Sequence, residues 1–191
     1  SDPHVFARCR REALLECDAL LLLGAPLDFR LGYGASTTIA ENAKLAVLDV
    51  DGLEICKNRS VDIPLVGDAK SVMSQATDQA LRCAGVVEHR AWCARLRVLE
   101  EKAKERLDER GRDASRPIRH FRLARAIANV LEDDTIVVAD GVNVVSVAAK
   151  VIERKMPGTW LDPGPFGCLG IGAPFALAAK LLHPERKVLV V

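Results

Sequence analysis

Short runs of consecutive apolar residues alternate along the chain with longer segments in which apolar residues recur every three or four positions. The runs lie within residues 19–24, 45–50, 63–66, 135–140 and 187–191, and the charged residues in these ranges, Asp49, Asp140 and Lys187, stand at or next to their ends. Unbroken apolar runs of this length are typical of strands that are buried on both faces of a parallel sheet. The alternation of such strands with helices predicts an α/β fold.

The segments between the runs predict helices. They cover residues 5–16, 69–84, 118–131 and 144–154, with a further apolar helix behind Pro174. Asp68 stands directly before the second of these helices, where a carboxylate accepts hydrogen bonds from free backbone N–H groups. The strands and helices therefore group into two parallel-sheet units.

Residues 87–112 differ from both units because they are dense in Arg, Glu and Lys. Opposite charges three and four positions apart stabilise a helix that is exposed to solvent. We expect an exposed linker helix here. The predicted domains are a first unit over 1–86, the linker helix over 87–116 and a second unit over 117–191.

Composition narrows the classes of function. The chain has 191 residues and 49% hydrophobic content, which is enough for a packed core. A net charge of +1 and an aromatic content of 4% argue against a nucleic-acid partner. The six cysteines form no Cys-x-x-Cys pair and indicate reduced thiols in a cytoplasmic protein. The uncharged segment 163–179 is broken by Gly and Pro and is shorter than a membrane span of about 20 residues, so no membrane partner is expected.

Two glycine-containing segments are candidates for ligand binding. In the first, the turn Gly141-Val-Asn143 joins a buried strand to a helix, which is a common way to hold a phosphate on backbone N–H groups. The same pattern also occurs as a turn without a ligand. In the second, five glycines and three prolines between Gly158 and Pro174 precede a helix and a strand. Such density is unusual for a spacer and predicts a binding loop near the carboxyl ends of the strands.

These segments carry a family resemblance. The stretches Val138-Ala-Asp-Gly-Val-Asn143 and Trp160-Leu-Asp-Pro-Gly-Pro-Phe-Gly-Cys-Leu-Gly170 resemble the pyrophosphate-binding domain of thiamine-diphosphate enzymes of the acetolactate synthase and 2-hydroxyacyl-CoA lyase type. Residues 21–34 and 66–69 are similar to the central domain of the same enzymes. The resemblance implies two Rossmann-like parallel-sheet units, an incomplete central domain and an incomplete thiamine-diphosphate domain.

The resemblance also implies residues that contact thiamine diphosphate. The diphosphate would lie on the turn into the helix, and the aminopyrimidine on the loop, where the Gly167 carbonyl accepts a hydrogen bond. Leu169 would hold the cofactor in a bent conformation, and an ordinary core leucine is the alternative. The implied cofactor-binding residues are Gly141, Val142, Asn143, Val144, Gly167, Cys168 and Leu169.

Some relatives bind flavin adenine dinucleotide (FAD) or adenosine diphosphate (ADP) in the central domain, whereas others bind no nucleotide there. The positions that resemble their contacts are Arg30, Asp49, Val50 and Asp68. Carboxylates at strand ends can bind ribose hydroxyls, and an arginine can bind a phosphate with two hydrogen bonds. The alternative is that Asp49 and Asp68 only cap turns.

In the family, a Gly-Asp-Gly motif binds Mg²⁺, and it would begin just beyond Val191. A glutamate from the amino-terminal pyrimidine domain protonates the cofactor. We therefore expect a fragment with no catalytic residue and no metal ligand of its own, inactive alone.

For the full-length protein, the resemblance implies a transferase or lyase, a homodimer or homotetramer, that acts on a 2-oxo acid or an acyl-CoA thioester. A non-catalytic nucleotide-binding or oligomerisation module is the alternative.

Overall fold

The computed structural model describes residues 4–83 and 89–191. The chain divides into two compact units, Ser1–Lys102 and Ala103–Val191. Each unit contains one parallel sheet of three strands. In both units helices alternate with the strands along the chain, which confirms the predicted α/β class.

The first unit begins with a short helix and continues through three strands. Its elements are α1 (Arg10–Glu16), β1 (Ala19–Leu23), a 3₁₀ helix (Phe29–Gly34), β2 (Lys44–Asp49), α2 (Gly52–Ile55), β3 (Ile63–Val66) and α3 (Ala69–Cys83). The strand order is β1-β2-β3. Helix α4 (Arg90–Arg112) follows, and the boundary between the units falls within it.

The second unit continues after α4 with a helix and its own sheet. Its elements are α5 (His120–Ala128), β4 (Ile136–Val138), α6 (Val142–Val151), β5 (Trp160–Leu161), a 3₁₀ helix (Gly164–Phe166), α7 (Gly172–Leu182) and β6 (Val188–Val190). The strand order is β5-β4-β6, so the first strand of this unit lies in the centre of its sheet.

Among the described strands, burial on both faces is found for the two central strands, β2 and β4. All three residues of β4 are buried, and Leu45, Val47 and Leu48 of β2 are buried as well. The same expectation is wrong for β1, where Leu21 and Leu23 are 43% and 46% exposed. β1 lies at an edge of its sheet, and the described residues cover only one of its faces.

The core of the first unit forms under the other face of the sheet. Leucines of α1, β1 and β2 meet Ile39 and Ile55 there. Arg59 fastens the loop over this core by donating hydrogen bonds to the carbonyls of Ala40 at 2.8 Å and Glu41 at 2.9 Å.

The charged helix is not an exposed linker along its whole length. Within the first unit, Leu96 is buried, and Glu100 accepts hydrogen bonds from the backbone N–H groups of Arg8 and Cys9. Within the second unit, Asp108 pairs with Arg125. We keep 1–86, 87–116 and 117–191 as proposed domain limits.

Some predicted boundaries are wrong by a few residues. Helix α1 begins at Arg10, five residues later than its apolar pattern predicts, and α6 begins at Val142 and includes Asn143. The two-residue strand β5 was not predicted, because two residues are too few to show a period. Within residues 4–83 and 89–191, no helix is both long and apolar enough to span a membrane.

Candidate functional site

The candidate site of the second unit lies at the carboxyl ends of its strands. The chain leaves the central strand β4 towards β5 and then returns past β4 to β6. Ligands of open parallel sheets bind where such a reversal separates the loops that follow neighbouring strands. Asp140 and Gly141 follow β4 at this edge, and Val191 follows β6.

The turn into α6 has the backbone geometry of an anion site. Gly141 is the N-cap and has a φ of 99°, in the region that favours glycine. A Cβ atom there would meet nothing within 4 Å. The first bond of the helix joins Val145 N to Gly141 O at 2.9 Å. The N–H groups of Val142, Asn143 and Val144 precede that bond, and such groups have no acceptor within a helix.

The loop between β5 and α7 is fastened at its entry by Asp162. One carboxylate oxygen accepts the Trp160 indole N–H at 2.8 Å, and the other accepts the Gly164 N–H at 2.7 Å. Gly167 then closes the 3₁₀ turn with a φ of 63° and donates to the Gly164 carbonyl at 3.3 Å. Asp162 thus acts within the loop as a turn residue.

The exit of the same loop is fastened by Asp140. Its Oδ1 atom accepts the Gly170 N–H at 3.1 Å, and its Oδ2 atom accepts the Gly172 N–H at 2.9 Å. Asp140 also donates its own backbone N–H to the Val191 carbonyl at 2.9 Å. Sequence reasoning missed this role, although an aspartate at the carboxyl end of a buried strand was a visible signal.

The residues between these two anchors point away from the core. Leu169 is 70% exposed, and Phe166, Gly167 and Cys168 are exposed as well. Leu169 is therefore not a core leucine of this unit. Because Asp140 precedes Gly141 and binds Gly170, the structure brings the two predicted groups of cofactor residues, 141–144 and 167–169, to one edge of the sheet.

A separate apolar groove of about 260 Å³ lies on the helices of this unit. Side chains of α5 and α6 line most of it, together with Val190 and Val191. Val144 is the one predicted cofactor residue in its lining. The groove and the exposed loop are therefore different features, and the loop carries most of the predicted contacts.

Three of the four predicted nucleotide residues lie at or just beyond the carboxyl ends of neighbouring strands of the first unit. Asp49 pairs with Val66 in the sheet, so Asp49, Val50 and Asp68 share one edge. Asp49 accepts the Asp51 N–H at 3.0 Å. Asp68 accepts both the backbone N–H and the hydroxyl of Ser71, at 2.9 and 3.0 Å, and these bonds lower the pKa of Asp68. Both carboxylates thus cap local turns.

Arg30, the fourth predicted nucleotide residue, is already paired. Its Nε atom lies 3.0 Å and its Nη2 atom 2.7 Å from Oδ2 of Asp28. The side-chain hydrogen bonds from Arg30 lower the pKa of Asp28, which also caps the 3₁₀ helix by accepting the Arg30 N–H. A phosphate would have to compete with Asp28 or use the Nη1 donors outside the pair.

Comparisons with known proteins agree with the predicted order of domains. Residues 3–76 match the family model "Thiamine pyrophosphate enzyme, central domain". Residues 140–191 match the model "Thiamine pyrophosphate enzyme, C-terminal TPP binding domain". The second match begins at Asp140 and includes every predicted thiamine-diphosphate residue.

Curated relatives align with almost the whole chain. The acetolactate synthase large subunit IlvG of Mycobacterium tuberculosis is 37% identical over 97% of this chain and 32% of its own length. The 2-hydroxyacyl-CoA lyase 2 of Caenorhabditis elegans is 31% identical over 99% of this chain and 30% of its own length. The 2-hydroxyacyl-CoA lyase 2 of Bos taurus is 32% identical over 97% of this chain and 29% of its own length. The chain spans about a third of the length of these relatives.

Proposed function

This chain belongs to the thiamine pyrophosphate enzyme family, and we propose that its second unit forms part of the cofactor site of a lyase or carboligase. The observation that carries the proposal is the meeting of the Gly141 turn and the Gly167–Leu169 loop at one sheet edge through Asp140. The relatives are named as an acetolactate synthase and 2-hydroxyacyl-CoA lyases. We accordingly propose a 2-oxo acid or a 2-hydroxyacyl thioester as substrate.

The residues of this edge fit thiamine diphosphate in chemistry and in space. The N–H groups of Val142, Asn143 and Val144 would bind the diphosphate, and the helix dipole adds to the attraction. Gly141 leaves room for a close approach because no side chain occupies that space. The exposed Leu169 side chain would contact the rings, and the Gly167 carbonyl would orient the aminopyrimidine. When bound, thiamine diphosphate supplies the electron sink for cleaving or forming a bond beside a carbonyl.

The diphosphate needs more positive charge than this turn provides. Residues 141–144 contain neither lysine nor arginine. Within 4–83 and 89–191, no group of three or more His, Cys, Asp or Glu side chains is arranged to hold a metal ion. We propose that parts of the full-length protein outside this chain bind the Mg²⁺ ion and supply the catalytic glutamate. We propose further that the full-length protein is a cytoplasmic homodimer or homotetramer.

A non-catalytic nucleotide-binding or oligomerisation module is the second candidate. The shared edge of Asp49, Val50 and Asp68 favours FAD or ADP as the nucleotide, and the exposed side chain of Val50 would contact a base. The local caps made by both aspartates weaken this candidate, since they account for the carboxylates without a ligand.

Calorimetric titration tests both candidates. Thiamine diphosphate is added with and without Mg²⁺ to the 191-residue chain and to a longer protein in which this chain is joined to the remaining parts of the M. tuberculosis relative. We expect binding that depends on Mg²⁺ in the longer protein and its loss in Gly141→Val, which fills the space beside the turn. Absence of binding in the longer protein would overturn the enzyme proposal, and tight binding of ADP or FAD by the 191-residue chain alone would favour the module.

A further inference from the structure

The structure assigns Asp140 as a positioning residue that holds the two halves of the proposed cofactor site in a fixed relation. This inference rests on the proposed function and goes beyond it, because Asp140 is not one of the residues expected to contact thiamine diphosphate. Its neighbour Gly141 starts the diphosphate turn, while its carboxylate holds the end of the Gly167–Leu169 loop.

The first argument is the set of hydrogen bonds that Asp140 makes. Both carboxylate oxygens are used, by the N–H groups of Gly170 and Gly172 at 3.1 and 2.9 Å. Hydrogen bonds that involve a charged group are the stronger ones in proteins. The Asp140 backbone is itself held to β6 through the Val191 carbonyl at 2.9 Å. The loop exit is therefore fixed to the two strands at the reversal of the sheet.

The second argument is the close packing at the start of α7. A Cβ atom on Gly172 would lie 2.9 Å from Cγ1 of Val190 and 3.2 Å from Oδ2 of Asp140. These distances are shorter than normal contacts, so only glycine allows the helix to begin this near the sheet. Gly172 thus donates a hydrogen bond to Asp140 at a place where a side chain on residue 172 would not fit. This close packing leaves little freedom for the loop exit.

The third argument is that packing contributes little to the position of Gly167, Leu169 and Gly170. Leu169 is largely exposed, and a Cβ atom on Gly167 or Gly170 would meet nothing within 4 Å. Leu169 directly precedes Gly170, whose N–H is held by Asp140. The direction of the Leu169 side chain consequently depends on the Asp140 carboxylate more than on packing.

Hydrogen exchange on the 191-residue chain tests this role without any cofactor. Asp140→Asn keeps the shape of the side chain, but its amide nitrogen cannot accept the N–H that it faces. We expect at least one of the Gly170 and Gly172 amides to exchange roughly 10- to 100-fold faster in this variant, because the single remaining oxygen can replace only one of the two charged hydrogen bonds. Asp162→Asn is the matched control at the loop entry and should accelerate Gly164 instead. Unchanged exchange at Gly170 and Gly172 would overturn the inference.

A measurement on the unchanged chain guards against a variant that fails to fold. In an NMR experiment that detects scalar couplings across hydrogen bonds, the amide nitrogens of Gly170 and Gly172 should couple to the side-chain carboxyl carbon of Asp140. Absence of both couplings would contradict the hydrogen bonds.

The longer protein described above then connects the anchor to the cofactor. Asp140→Asn should weaken binding of thiamine diphosphate about tenfold or more, while binding of inorganic pyrophosphate, which needs the Gly141 turn alone, should change by less. Equal weakening of both ligands would mean that Asp140 supports only the turn and would overturn the coupling. Failure of the unsubstituted longer protein to bind thiamine diphosphate would refute the proposed function, a result separate from the exchange data.

Discussion

Replacing Glu100 by glutamine should destabilise the first unit strongly although it hardly changes the size of the side chain. The Glu100 carboxylate accepts the N–H groups of Arg8 and Cys9 at 2.9 Å each and the Nη1 atom of Arg8 at 3.0 Å. Its side chain is only 16% exposed. Glu100→Gln removes the charge and turns one acceptor into a donor. Since each hydrogen bond to a charged group contributes about 1.5–3 kcal/mol, we expect a loss of about 2–4 kcal/mol in the free energy of unfolding.

Urea unfolding followed by tryptophan fluorescence measures this loss. Trp92 lies in the first unit and Trp160 in the second, so a Trp160→Phe background reports on the first unit alone. With a slope of about 2 kcal/mol per M, the midpoint should fall by about 1–2 M. Glu101→Gln makes the same chemical change at the exposed neighbouring position and is the control. Equal midpoints in the two variants would refute the reasoning.

The difference between wild type and Glu100→Gln should also depend on pH. Burial raises the pKa of Glu100, but the hydrogen bonds from Cys9 and Arg8 outweigh burial and hold the pKa below its usual value. On acidification the unfolded chain therefore binds the proton first, which favours unfolding. The stabilisation is complete above the usual glutamate pKa of about 4.3 and is lost as the pH falls through the lower pKa of the folded state. A difference that persists well below that range would contradict this account.

Three further outcomes are expected. Gly172→Ala should lower the free energy of unfolding of the second unit by about 1–3 kcal/mol, because its Cβ atom would crowd Val190. An unchanged urea unfolding curve of the Trp160 fluorescence would contradict this crowding. Burial raises the pKa of the Cys9 thiol to about 11, so iodoacetamide at pH 8 should modify the exposed Cys168 before Cys9. Equal labelling of the two cysteines by mass spectrometry would exclude this protection. The exposed leucines of α7 should cause the 191-residue chain to self-associate, and Leu181→Lys should reduce this association. Sedimentation velocity measures it, and a monomer at every concentration would disprove the prediction.

Local sequence patterns predicted the helices and strands of this chain better than they predicted the contacts between distant residues. The apolar runs located β2 and β4 because central strands of parallel sheets are buried on both faces. The same rule failed for β1, since a run of leucines carries no sign of whether its strand is central or at an edge. Asp140 was missed as an anchor because its partner Gly172 is 32 residues away, and no periodic pattern records such a pairing.

Contacts between residues that are distant in the sequence also explain how the proposed cofactor site can be built from residues that contribute little through their side chains. Of the predicted cofactor residues, the glycines contribute only backbone, and Val142 and Leu169 contribute exposed apolar surface. The position of Gly167 and Leu169 depends on two aspartates that hold the ends of the loop, Asp162 at its entry and Asp140 at its exit. Apart from Gly141 and Leu169, such a site should tolerate changes in side-chain identity between its anchors, whereas it should be sensitive to any change that removes an acceptor from either carboxylate. At the positions of 140–172 other than Gly141 and Leu169, we therefore expect the order of binding defects in a mutational scan to follow the hydrogen bonds of the two aspartates and not the exposure of the residues between them.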